Sequence, residues 1–112
     1  MWVHFDPARG AEVPKTRPCI VVSRTEANDI SSTVTVVPLS SVKGRAAERL
    51  VQPLLPAKES HLPKDSRALC DQVRTIDKGC IRETIGVLSH ELLGKIDRGL
   101  ILHLGLEDYV TI

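Results

Sequence analysis

The fold is predicted most directly by two apolar stretches, residues 19–23 (CIVVS) and residues 33–39 (TVTVVPL). Both are short, rich in β-branched side chains and bounded by polar or turn-forming residues, which is typical of buried strands. The residues between them, 24–32, include Asn28 and Asp29, whose side chains bond nearby backbone groups and favour turns. The sequence therefore predicts a hairpin of two central strands joined by a turn.

Weaker strand patterns occur in four further segments. These are residues 2–5 (WVHF), 48–55 (ERLVQPLL), 67–76 (RALCDQVRTI) and 85–88 (IGVL). The run 67–76 alternates in polarity, so we expect it to form one continuous strand. The polar, proline-bounded stretch 56–65 is predicted to be a loop.

The C-terminal segment has helical periodicity instead. Ser89 is a suitable N-cap and Gly105 a suitable stop. One apolar stripe consists of Leu92, Leu93, Ile96, Leu100, Ile101 and Leu104. About five short strands followed by one helix predict an α+β fold, mostly β, arranged as a small barrel in a single domain over residues 1–112.

Composition restricts the class of partner. The formal net charge is +1, so any nucleic acid must be held by a local basic patch, because the whole protein exerts no strong field. Aromatic residues make up 3% of the chain, which argues against a platform that stacks successive bases. No segment resembles a signal peptide, and no apolar run reaches the roughly 20 residues needed to cross a bilayer. We therefore expect a cytoplasmic protein.

Common catalytic motifs and metal-ligand patterns are missing from the sequence. It has no P-loop, G-x-G-x-x-G, G-x-S-x-G or H-E-x-x-H motif, which disfavours nucleotide hydrolysis and zinc proteolysis. Cys19, Cys70 and Cys80 form no C-x-x-C pair and are expected to be reduced, mostly buried thiols. The four histidines are scattered along the chain. We expect neither a metal nor a cofactor.

The polar segment 5–18 is long enough to be a functional loop. Arg17 stands where it enters a predicted strand, and Pro18 favours extended geometry there, so the guanidinium could be held at the rim of a cleft and bind a phosphate. The alternative is a structural ion pair with Asp71 or Glu12. Composition and spacing alone favour that alternative.

Several segments in order resemble the MazF/PemK toxins, the mRNA interferases of bacterial toxin-antitoxin modules. They are residues 5–10 (FDPARG), 15–18 (KTRP), 34–41 (VTVVPLSS), 71–77 (DQVRTID), and 85–89 (IGVLS) with the helix that follows. The resemblance implies an SH3-like barrel shared with the CcdB toxins, a homodimer, a separate antitoxin as partner, and metal-independent cleavage of single-stranded RNA. In such cleavage the ribose 2'-hydroxyl attacks the adjacent phosphate.

The same resemblance implies that Arg17 and Ser40 contact the scissile phosphate. Because a guanidinium holds its proton too tightly to be a good acid, we expect Arg17 to stabilise charge rather than to donate a proton. The histidine and arginine used by the PemK branch are replaced by Ala11 and Leu69, which favours the MazF-type arrangement. Asp71 is a possible base. The candidates for catalysis or RNA binding are Glu12, Lys15, Thr16, Ser41, Asp71, Gln72 and Arg74.

Two other hypotheses remain open at this point. One is a non-enzymatic toxin on the same barrel that binds a protein target such as gyrase, as CcdB toxins do. The other is a chain with impaired activity, because the first predicted strand starts almost at Met1.

Overall fold

A mostly antiparallel sheet and a long C-terminal helix make up the fold. The computed structural model describes residues 2–5, 17–44, 47–82 and 84–110. The strands in this part of the chain are β1 (Trp2–Phe5), β2 (Arg17–Val21), β3 (Thr33–Ser41), β4 (Leu54–Leu55), β5 (Ser66–Ala68), β6 (Arg74–Asp77) and β7 (Thr84–Gly86). The α-helices are α1 (Thr25–Ile30), α2 (Ala57–Ser60) and α3 (His90–Leu104), and short 3-10 helices span Cys70–Gln72, Lys78–Cys80 and Glu107–Tyr109.

Strand β3 is the centre of the sheet. The strand order is β4-β5-β3-β2-β1-β7, and β6 pairs with the first half of β3. Every pairing is antiparallel. Within the described residues the sheet does not close, since β4 and β7 remain its two edges. The predicted fold class, α+β and mostly β with a terminal helix, is confirmed, and the sheet that forms the small predicted barrel is not closed.

Both faces of the central hairpin are buried. Ile20 and Val37 belong to the apolar cluster that packs under α3. Cys19 and Val36 belong to a second cluster on the other side of the sheet. Burial on both faces explains why the sequences of β2 and β3 are continuous apolar runs instead of alternating ones.

The predicted hairpin and its two strands are confirmed, with one difference in the connection. The turn-forming residues 24–32 contain the six-residue helix α1 instead of a simple turn. The prediction for residues 48–55 was also too long, because only Leu54–Leu55 pair as a strand. The predicted loop 56–65 includes the single helical turn α2.

The predicted continuous strand 67–76 is wrong, because a 3-10 helix divides it into β5 and β6. The Cys70 side chain at this break is fully buried against α3. A Cβ atom on Gly99 would lie only 2.8 Å from the Cys70 Sγ, so glycine is needed where the helix crosses. The break allows the chain to turn under α3, which local alternation could not predict.

Helix α3 begins and ends as predicted. The Leu92 N–H donates to the Ser89 Oγ at 3.3 Å, and Gly105 adopts the left-handed conformation with φ 68°. Its apolar stripe is buried at Leu92 and Ile96, whereas Leu104 is 55% exposed. No helix in the described part of the chain has the length and apolar character needed to span a membrane.

Candidate active site

A cavity of about 500 Å³ opens beside the start of β2 and the end of β3. The turn that precedes β5 forms another part of its wall. The polar lining residues are Arg17, Ser40, Ser41, Lys64 and Ser66. The apolar ones are Pro18, Leu39, Leu62 and Pro63. Here it is called the β2–β3 cavity.

The register between β2 and β3 brings Arg17 and Ser40 together. The strands pair with Cys19 opposite Pro38. Arg17 lies two residues before Cys19, and Ser40 lies two residues after Pro38. Both residues are therefore just beyond the same end of the β2–β3 pairing, and both line the cavity. The guanidinium and the hydroxyl can therefore reach one bound group.

Arg17 is exposed and forms no ion pair with Asp71. The Asp71 carboxylate instead accepts a hydrogen bond from the Gln52 Nε2 at 3.0 Å. The alternative of a structural pair between Arg17 and Asp71 is therefore wrong. The other partner considered, Glu12, lies outside the described residues, as do Lys15 and Thr16.

Strand β5 supports the end of β3 from its other side. Ser40 pairs with Arg67, and Ser41 pairs with Ser66. Ser40 is half-buried and Ser41 is exposed. Pairing with β5 fixes the backbone that presents these two hydroxyls. The resulting arrangement is rigid, as a site that must position a phosphate requires.

The DQVR segment, residues 71–74, lies elsewhere along β3. Arg74 pairs with Val36, four residues from Ser40, which corresponds to about 13 Å along a strand. Asp71 and Gln72 belong to the preceding 3-10 helix and are exposed. None of these three residues lines the β2–β3 cavity. The structure thus brings Arg17, Ser40 and Ser41 together and separates them from this segment.

Sequence reasoning missed Lys64. It lies in residues 56–65, which the sequence predicts only as a loop, and the structure folds that loop against the end of β3. The Val42 N–H donates to the Asp65 carbonyl at 2.9 Å. The only signal in the sequence was a lysine after Pro63, and one basic residue in a polar loop is ordinarily a solvated side chain.

Buried thiols do not contribute to the cavity. Burial raises the pKa of Cys19 to about 12, and burial together with the charges of Asp71 and Asp97 raises the pKa of Cys70 to about 11. Both thiols stay protonated and poorly nucleophilic near neutral pH. The predicted free, buried cysteines are confirmed. Among the described residues, no three histidine, cysteine, aspartate or glutamate side chains are grouped as a metal site would require.

The fold and cavity define a small α+β domain with a cleft lined by Arg17 and Lys64, and comparison with known proteins gives its family. The model of the PemK-like, MazF-like toxins of type II toxin-antitoxin systems matches residues 1–104. The chain belongs to this family. The predicted resemblance is therefore confirmed.

Individual relatives agree with this assignment. The chain is 36% identical over 109 residues to endoribonuclease MazF9 of Mycobacterium tuberculosis, and the match covers 93% of this chain and 91% of that protein. The fold is similar to that of Mycobacterium tuberculosis toxin MazF-mt6, with a TM-score of 0.74 and 19% identity over 96% of this chain and 99% of the other. It is also similar to a mycobacterial endoribonuclease solved in complex with its cognate antitoxin, with a TM-score of 0.71 and 18% identity over 93% and 92%. These two structures support the fold.

Proposed function

We propose that this protein is an mRNA interferase toxin: a sequence-selective endoribonuclease that cleaves single-stranded RNA without a metal ion. The observation that carries the proposal is the position of Arg17 and Ser40 at one cavity. Arg17 comes from the motif KTRP and Ser40 from the motif VPLSS, two of the motifs that prompted the resemblance. The endoribonuclease name of the relative that is 36% identical supports the same activity.

The nucleophile in this reaction comes from the substrate. The ribose 2'-hydroxyl attacks the adjacent phosphorus, and the 5'-oxygen of the next nucleotide leaves. The products are a 2',3'-cyclic phosphate and a free 5'-hydroxyl. The 2'-oxygen loses its proton as it attacks, and the leaving 5'-oxygen gains one. The site must hold the attacking oxygen, phosphorus and leaving oxygen in line, and it must stabilise the extra negative charge of the phosphorane while these protons are transferred.

Arg17 and Ser40 suit the second task. A guanidinium presents a planar fork of N–H donors that fits two phosphate oxygens, and it remains charged throughout the reaction. The Ser40 hydroxyl adds one donor from the neighbouring strand. Since a guanidinium and a hydroxyl can both donate hydrogen bonds to phosphate oxygens, we expect these residues to act by charge stabilisation and positioning. Glu12, Lys15 and Thr16, which precede Arg17, and Ser41 beside Ser40 remain candidates for contacting the RNA.

The family also suggests the biological setting. We expect one toxin domain over residues 1–112, a homodimer, residence in the cytoplasm, and a separate antitoxin that inhibits the enzyme. One of the similar structures is a complex with a cognate antitoxin, which supports the last expectation. The alternative of a gyrase-binding toxin receives no support from the relatives reported above, which are named as endoribonucleases or MazF toxins.

The proposal is tested by incubating the purified protein with a long single-stranded RNA in the presence of EDTA. We expect discrete fragments with 2',3'-cyclic phosphate and 5'-hydroxyl ends, which end-specific labelling detects. The Arg17→Ala variant, purified in the same way, excludes a contaminating nuclease if it leaves the RNA intact. Uncut RNA at micromolar concentrations of the parent protein would contradict the proposal.

A further inference from the structure

Lys64 gives the β2–β3 cavity a second cation, on an element separate from the strands that carry Arg17 and Ser40. It lies in the turn between α2 and β5. No carboxylate is found among the described residues that line the cavity. Two cations among these lining residues favour the binding of an anion.

The backbone around Lys64 is fixed. The Ser66 Oγ donates to the Lys64 carbonyl at 3.2 Å. The next residue, Asp65, accepts from the Val42 N–H through its carbonyl at 2.9 Å and from the Ala57 N–H through its Oδ1 at 2.8 Å. These bonds connect the turn to the end of β3 and to the start of α2. The position of Lys64 relative to Ser40 is therefore set by the fold.

The side chain of Lys64 is exposed, in contrast to its fixed backbone. Within the part of the chain that the structure describes, its ammonium has no hydrogen-bond or ion-pair partner. By comparison, Lys95 is paired with Glu48 at 3.1 Å. An ammonium on an anchored turn that faces a cationic cavity is available to a ligand.

We propose that Lys64 binds a phosphate of the RNA backbone next to the scissile phosphate. This inference rests on the proposed function, in which Arg17 and Ser40 hold the scissile group. Arg17 and Ser40 bind the scissile phosphate, and Lys64 reaches the cavity from another element. Lys64 would therefore contact a neighbouring phosphate of the same RNA strand. A lysine binds phosphate as a point charge without a fixed hydrogen-bond geometry, which suits affinity rather than alignment of the reacting atoms. Lys64 is thus a substrate-binding residue and not a catalytic one.

The test is steady-state cleavage of a short RNA that contains a cut site mapped with the parent protein. For Lys64→Gln we expect KM to rise about tenfold, since a hydrogen bond to a charged group is lost, while kcat stays within about twofold. The slope of log(kcat/KM) against log[salt] should become shallower by about 0.7, the value for one phosphate contact on a single strand. Lys64→Arg should restore both values.

Lys58 provides the matched control. It is an exposed lysine in α2, a few residues away in the same connection, and it does not line the cavity. Lys58→Gln makes the same change in net charge and should leave KM and the salt slope at the parent values. Binding of a 2'-deoxy oligonucleotide of the same sequence, which cannot be cleaved, should weaken in Lys64→Gln as much as KM rises.

Three results would overturn the inference. An unchanged KM and salt slope in Lys64→Gln would show that the ammonium contacts no phosphate, and equal losses in Lys58→Gln would show only a general charge effect. A fall confined to kcat would make Lys64 part of the reacting centre. If the parent protein cuts no RNA, the proposed function itself fails, and the inference fails with it. If the parent protein cuts RNA and the variants give one of the three results above, only the inference about Lys64 fails.

Discussion

The two halves of β3 perform different tasks although they belong to one strand. The first half, Thr33 to Val36, pairs with β6, and Val36 is fully buried. The last residues, Leu39 to Ser41, pair with β5 and border the β2–β3 cavity. The strand leaves the core within a few residues. A single stretch of sequence thus holds the sheet together at one end and presents the proposed site at the other.

The difference between the two halves divides the candidate site residues that the family resemblance suggested into two groups. Arg17 and Ser40 lie at the cavity end, whereas Asp71, Gln72 and Arg74 lie near the packed half. If the comparison is correct, substitutions at the cavity end change the reaction and leave stability intact. Substitutions of buried residues in the packed half should lower stability and leave the reaction intact.

The largest effect is expected for Arg17→Ala. Loss of a donor at a developing oxyanion typically lowers the rate by about 10²- to 10³-fold, and single-turnover cleavage with saturating enzyme measures it. Because the side chain is exposed and does not pair with Asp71, thermal unfolding should be unchanged. Arg17→Lys, which keeps the charge and loses the fork, should be intermediate. A fall in the cleavage rate of less than about fivefold for Arg17→Ala would contradict the role of Arg17 in stabilising the phosphorane.

Ser40→Ala should lower the cleavage rate by about tenfold to a hundredfold, since one hydrogen bond to a charged group is worth about 1.5–3 kcal/mol. Ser40→Thr keeps the hydroxyl and should retain most of the activity. Ser32→Ala, a change of the same type at the exposed residue just before β3, is the matched control. Equal activity of Ser40→Ala and Ser32→Ala would remove Ser40 from the site.

Val36→Ala tests the packed half. Removing buried methyl groups should lower the free energy of unfolding by about 2 kcal/mol, through lost burial and a residual cavity. Urea unfolding followed by circular dichroism measures this change. The cleavage rate per folded molecule should stay within about twofold. A large loss of activity in fully folded protein would mean that the two halves are not independent.

Asp71→Asn should have the smallest effect. Asparagine keeps an oxygen that accepts from Gln52, and an exposed substitution of this kind changes free energies by about 0.5 kcal/mol or less. We therefore expect kcat to change less than threefold across the pH range of the assay. A fall in kcat of fiftyfold or more, together with loss of the acidic limb of the pH profile of kcat, would identify Asp71 as the base. That result would contradict the division of β3 into two halves.

Local sequence patterns predicted the elements whose signals lie within one short stretch of the chain. The β-branched runs gave β2 and β3 because they are buried on both faces. Ser89 and Gly105 gave both ends of α3 because capping bonds involve residues only a few positions apart. The same reasoning failed for residues 67–76, where the chain breaks so that Cys70 can pack against Gly99 of α3. That contact joins residues far apart in the sequence.

The proposed site also combines features that the sequence predicted with features that depend on contacts between distant residues. The sequence singled out Arg17 and Ser40 through the family resemblance of their motifs, and it predicted the two central strands and the terminal helix. Only the tertiary structure decided that Arg17 and Ser40 face one cavity, that Asp71 pairs with Gln52 outside it, and that Lys64 lines it. Those facts depend on strand register and on a loop folding back onto β3. Such non-local pairings are set by the packing of the whole chain, and no short window of sequence contains them.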